Sequence, residues 1–72
     1  MHALTARQEQ CLDYIVEHQE KEGYSPSIRQ IADSMGGIGT NAVFGHLMAL
    51  EAKGYIERPA GLARAIRVLS RA

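Results

Sequence analysis

The chain has 72 residues, and its 8 lysines and arginines balance its 8 acidic residues to a formal net charge of zero. That length holds one small domain with a limited core, and leaves no room for a second. Neutrality by itself points to no polyanionic partner, and no apolar run approaches the roughly 20 residues of a membrane span.

Thr5 and Gln8 open the chain's first helix as a capping box, because hydroxyl and amide can each satisfy an exposed backbone N–H. The helix is expected over about residues 6–21. Leu12, Ile15 and Val16 form its apolar stripe, and Gly23 stops it. Cys11 is the only cysteine, so no internal disulfide can form. It reads as a small buried residue in a reducing setting. The N-terminal stretch is already polar at Arg7 to Gln10, which argues against a signal peptide. Tyr24-Ser25-Pro26 is an extended connector.

Ser27 with Gln30 is a second capping box. A short helix over about residues 28–35 turns Ile28, Ile31, Ala32 and Met35 inward, and Gly36-Gly37 makes a tight turn after it. Thr40, with Gly39 as the alternative, caps a third helix that ends near Lys53, where Gly54 is the terminating glycine. The period then changes from helix to strand. Tyr55-Ile56-Glu57-Arg58 reads as one strand, Pro59-Ala60-Gly61 as a turn and residues 64–69 as a second strand, with Ile66 and Val68 alternating with Arg67. The order is helix, helix, tight turn, helix, hairpin. The fold class is mainly α with a small β-hairpin, a three-helix winged helix-turn-helix.

On the third helix, at about 100° per residue, Val43, Leu47 and Leu50 fall on one stripe and should be core. The opposite side carries Asn41, Phe44, Gly45, Met48 and Ala52, and no charge. In a major groove the N-terminal residues of such a helix would meet base edges. Asn can bond adenine bidentately, and Ala or Phe can touch a thymine methyl. Gly45 costs about 1 kcal/mol of helix propensity relative to Ala, which suggests close approach to something outside the helix. The charge is also unevenly spread. Residues 1–25 hold Arg7 and Lys21 against Glu9, Asp13, Glu17, Glu20 and Glu22, whereas residues 58–72 hold Arg58, Arg64, Arg67 and Arg71 and no acid. A basic surface is compatible with a neutral protein.

His2, His18 and His46 lack metal-ligand spacing, and no nucleophile–base set or phosphate-binding glycine loop is visible. No catalytic residue, metal site, cofactor or small-molecule substrate is expected.

At these residues the chain resembles the DNA-binding domain of the LexA family, the repressors of the SOS response to DNA damage. The resemblance spans residues 3–69. It rests on Ala3-Leu4-Thr5-Ala6-Arg7-Gln8, on Gly23-Tyr24-Ser25-Pro26-Ser27-Ile28-Arg29-Gln30-Ile31, on Lys53-Gly54-Tyr55-Ile56 and on Arg64-Ala65-Ile66. Asn41-Ala42 is similar to the enterobacterial type. Val43 and Gly45-His46-Leu47 are similar to the Gram-positive type, in which His commonly stands where this chain has Phe44. Phe44 matches neither branch.

The resemblance implies that Asn41, Ala42, Phe44 and Gly45 face the bases, and that Arg7, Ser27, Arg29, Lys53 and Arg64 lie near phosphates. It implies a double-stranded operator, an inverted repeat read by two copies, and a bacterial cytoplasm at the nucleoid, or a host cytoplasm for a phage-encoded form. The family's self-cleavage and dimerisation domain has no room here, so the chain is expected to be an excised domain or a naturally short relative. Ala60-Gly61 imitates the family's scissile dipeptide but falls in the expected wing turn. A rival reading from the residues is a winged-helix protein-interaction module, an adaptor or anti-repressor. It would use the exposed face around Phe44 and Met48 to bind a protein partner or a second copy.

Overall fold

Two reciprocal capping boxes start the first two helices. The Thr5 hydroxyl accepts from the Gln8 N–H, and the Gln8 side chain accepts from the Thr5 N–H, both at 3.1 Å. Helix α1 follows over Ala6–Glu22 and ends at Gly23, whose φ of 83° is the left-handed conformation of a helix stop. Ser27 and Gln30 repeat the device at 3.1 and 2.8 Å, and open helix α2 over Ile28–Ser34. The computed structural model describes residues 3–58 and 66–70 of the chain.

The turn after α2 depends on two glycines. Gly36 and Gly37 have φ of 88° and 78°, and their N–H groups donate to the carbonyls of Asp33 and Ala32. Successive left-handed residues are strained for any side chain but not for glycine. Helix α3 then runs over Thr40–Ala52. Its cap is Gly39 and not Thr40. Gly39 is extended, and its carbonyl accepts from the N–H groups of Ala42 and Val43, so the helix begins one residue earlier than a Thr40 cap requires. No side chain caps this helix. Gly54, at φ 82°, closes its far end, with Gly54 and Tyr55 donating to the carbonyls of Glu51 and Leu50.

The hairpin is shorter than its sequence pattern. Strands β1 (Ile56–Glu57) and β2 (Arg67–Val68) pair antiparallel, with Ile56 opposite Val68 and Glu57 opposite Arg67. Tyr55 is excluded from the ladder because its N–H still serves α3. Its carbonyl nevertheless accepts from the N–H groups of Leu69 and Ser70, which extends the hairpin's hold on the helix. The expected turn at Pro59 to Gly61, and Arg64 and Ala65 of the expected second strand, lie outside the described residues.

The core sits where the three helices and β1 meet. Leu12, Ile15, Ile31, Val43, Leu47 and Leu50 are fully buried, and Met35, Tyr55, Ile56 and Ile66 nearly so. Ile28 and Val68 pack at its margin. Cys11 is buried too, and loss of hydration pushes its thiol up to about 11, so it stays a neutral packing group at physiological pH. The first two helices, the glycine turn and the third helix form the helix-turn-helix, and the hairpin forms its wing. No described helix is long and apolar enough to cross a membrane.

Candidate nucleic-acid interface

Helix α3 has one face spent on the core and one left open. Val43, Leu47 and Leu50 point inward with no exposed surface. Asn41, Ala42, Phe44, Gly45 and Met48 are all exposed. At about 100° per residue Asn41, Gly45 and Met48 lie at the middle of the open side, with Ala42 and Phe44 on opposite flanks. The helix holds neither an acid nor a base in its first turn. The open side thus offers one amide, small surfaces and two apolar side chains, with the exposed Glu51 carboxylate in the last turn on the Phe44 flank.

Gly45 has no internal reason to be glycine. A Cβ built there meets nothing within 4 Å, and its φ lies outside the left-handed range. Packing within the chain therefore does not exclude a side chain at this position. Gly45→Ala is expected to stabilise the helix by up to ~1 kcal/mol, raising the melting temperature by a few degrees. The same methyl is expected to weaken any ligand that approaches the helix closely. A variant that melts higher and also binds DNA more tightly would rule out close approach at Gly45.

The residues expected near phosphates are spread over three elements. Arg7, in the first turn of α1, reaches the Gln10 amide oxygen and the Met35 carbonyl, both at 3.4 Å, and so lies beside the end of α2. Ser27 is occupied as the α2 cap, and Arg29 is exposed in that helix's first turn. Lys53 has an internal task. Its ammonium donates to the Ala3 carbonyl at 2.9 Å and the Gln8 side chain at 2.7 Å, tying the end of α3 to the start of α1. An ammonium has three donors, so one is left for an external acceptor. Arg64 lies outside the described residues.

Of the 8 acidic residues only Glu51 lies on α3, in its last turn. Glu9, Asp13 and Glu17 line a shallow depression along α1 with Tyr14 and Ser34, and no residue of α3 takes part. Among the described residues no group of His, Cys, Asp or Glu could hold a metal ion. His46 is half-buried on α3.

This layout of an open third helix, with no acid before Glu51, on a three-helix core with a hairpin has a counterpart in sequence. Residues 1–65 match the family model described as the LexA DNA binding domain. The chain belongs to the LexA family. Its similar relatives include the LexA repressor of Shouchella clausii, 47% identical over 70 residues, which are 97% of this chain and 34% of the relative. The LexA repressor of Halalkalibacterium halodurans is 46% identical over 69 residues, 96% of this chain and 33% of the relative. That of Citrifermentans bemidjiense is 48% identical over 66 residues, 92% of this chain and 33% of the relative. The chain spans about a third of the length of these curated relatives.

Two features of this LexA-family domain are absent from its motif pattern. The first is a latch on the wing. Gln19 Nε2 donates to the Ser25 hydroxyl at 2.8 Å and to the Ile66 carbonyl at 2.7 Å, and Ser25 donates to the same carbonyl at 2.9 Å. Ser25 is buried, so these bonds fix β2 against the end of α1. The second is Arg58. Its guanidinium carbon lies 5.4 Å from the centroid of the Phe44 ring, within cation–π range. The strand period offers a signal for this contact. Arg58 shares a face with Ile56, the face that packs toward α3, and the arginine side chain is long enough to pass the core edge.

Proposed function

We propose that this LexA-family domain binds double-stranded DNA in a sequence-specific way and supplies the DNA-reading part of a repressor. Helix α3 enters the major groove, which is about as wide as a helix with its side chains. Asn41, Ala42, Phe44 and Gly45 meet base edges, with the Asn41 amide bonding an adenine. Arg7, Ser27, Arg29, Lys53, Arg64 and the wing meet the backbone. Phosphate contacts set the orientation of the helix, and base contacts set the sequence it prefers. Repression follows from occupying DNA that polymerase needs, and the domain itself performs no chemistry.

The observation that carries this reading is the open side of α3. Its first two turns carry no acid and are centred on Asn41 and a glycine with open space above it, in a chain of the LexA family. One domain reads a half-site, and useful affinity comes from two copies on an inverted repeat. The relevant compartment is the bacterial cytoplasm, at the nucleoid. A protein-docking role for the Phe44 and Met48 surface is less well supported, because Phe44 already has a partner inside the chain in Arg58.

The test is selection of bound duplexes from a random library at low salt, followed by sequencing. Enrichment of a short motif, or of its inverted repeat, is the expected result. If a covalently tethered pair of folded chains also enriches nothing, the DNA reading fails. Arg64→Ala is expected to weaken binding to all sequences and to lower the slope of log affinity against log salt by about one unit. A loss confined to one sequence would make Arg64 a base reader instead.

A further inference from the structure

We propose that Arg58 is a DNA-contacting residue whose guanidinium is aimed by the Phe44 ring, so that the two act as one unit at the junction of α3 and the wing. The inference rests on the DNA-binding reading above and adds a contact to it.

Phe44 is 39% exposed on the flank of the open side of α3, and Arg58 directly follows β1 at the foot of the wing. The guanidinium lies over the ring, 5.4 Å from its centroid. A guanidinium held over an aromatic face by its own flat surface keeps its N–H donors free around its edge. Its nearest acid in sequence is not its partner. The Glu57 carboxylate pairs with Arg67 at 3.3 Å across the hairpin, and Arg58 has no ion pair among the described residues. The arrangement is therefore a half-buried cation seated over a ring, with no ion pair or hydrogen bond from its side chain among the described residues, next to the residues proposed to face the groove.

A ligand suited to it presents two acceptors side by side. DNA has two such groups, the oxygens of a backbone phosphate and the O6/N7 edge of guanine. The ring also accounts for a phenylalanine on a helix side that faces water in the free protein.

The experiment measures affinity and salt slope for the chain and for a tethered pair, on the selected site and on its single-base variants. The proteins are the parent, Arg58→Met, Arg58→Lys, Phe44→Leu and the Arg58→Met/Phe44→Leu double variant, each checked for folding by circular dichroism. Arg58→Met is expected to weaken the selected site roughly 5- to 150-fold. A loss confined to sites with one particular guanine assigns the guanine edge, and Arg58→Lys should not restore it, because an ammonium lacks the paired donors. A loss equal on all sequences, with the salt slope reduced by about one unit and restored by lysine, assigns the phosphate. In the Phe44→Leu background the Arg58→Met loss is expected to shrink at least threefold.

Parent-like affinity and salt slope in folded Arg58→Met would overturn the contact. Losses that simply multiply in the double variant would overturn the aiming role of the ring. Failure of the parent pair to select any site sinks the DNA reading, and the contact with it. That failure is recognisable because it needs no variant.

Discussion

Asn41→Ala is expected to weaken binding to the preferred site by about 1–3 kcal/mol, roughly 5- to 150-fold, and to relax preference at one base pair. The residue is exposed in the first turn of α3, so truncation removes no core contact and the variant should melt close to the parent. The carboxamide oxygen accepts from adenine N6–H while its NH2 donates to N7. That paired pattern identifies adenine, and alanine abolishes it. The check is a competition titration against the site and its three single-base variants at that position. A folded variant with the parent's full discrimination would mean that α3 docks in another way.

The largest effect on stability is expected on the other side of the same helix. Leu47 has no exposed surface and lies at the middle of the inward stripe, between Val43 and Leu50. Leu47→Ala should cost about 2–5 kcal/mol, since the cavity adds to the lost transfer free energy. A domain of this size has little more stability than that in total. The variant is therefore expected to be largely unfolded near 37 °C, with a fall in melting temperature of more than about 10 °C. Met48, the next residue, is 65% exposed, and Met48→Ala should stay within about 0.5 kcal/mol of the parent. Thermal melts of the two variants check the pair. A melt of Leu47→Ala within about 5 °C of the parent would mean that the three-helix junction collapses around the missing side chain.

These two expectations describe how one short helix serves both fold and site. The stripe of Val43, Leu47 and Leu50 anchors α3 to α1, α2 and β1. Anchoring that stripe turns Asn41 and Gly45 outward without any further interaction. The wing is set in the same economical way, by three hydrogen bonds among Gln19, Ser25 and the Ile66 carbonyl. On the proposed DNA-binding reading, groups on α3 held by this packing would be in place before binding, which lowers the ordering cost of recognition.

Local chemistry made much of this legible in the residues. Thr5 with Gln8, Ser27 with Gln30, and the glycines at 23, 36, 37 and 54 are decisions of the backbone within a few residues, and each lies where its side-chain chemistry requires. Helical periodicity separated Leu47 from Met48 for the same reason, because the angle between neighbours is a property of the helix alone. The cap of α3 was less legible. Both Gly39 and Thr40 are good cap residues, and the choice between them depends on how the helix sits against its neighbours.

The sequence by itself determined the order of elements, the starts of the first two helices and the two faces of α3, since those follow from interactions between residues close in the chain. Only the tertiary structure decided what Lys53, Gln19 and Arg58 do. Lys53 reaches Ala3 and Gln8, Gln19 reaches Ile66, and Arg58 reaches Phe44, in each case across a fold in the chain. A long polar side chain can serve solvent, a phosphate or a distant carbonyl equally well. Which of these it meets is fixed by the packing of apolar residues elsewhere, and no local pattern encodes that distance.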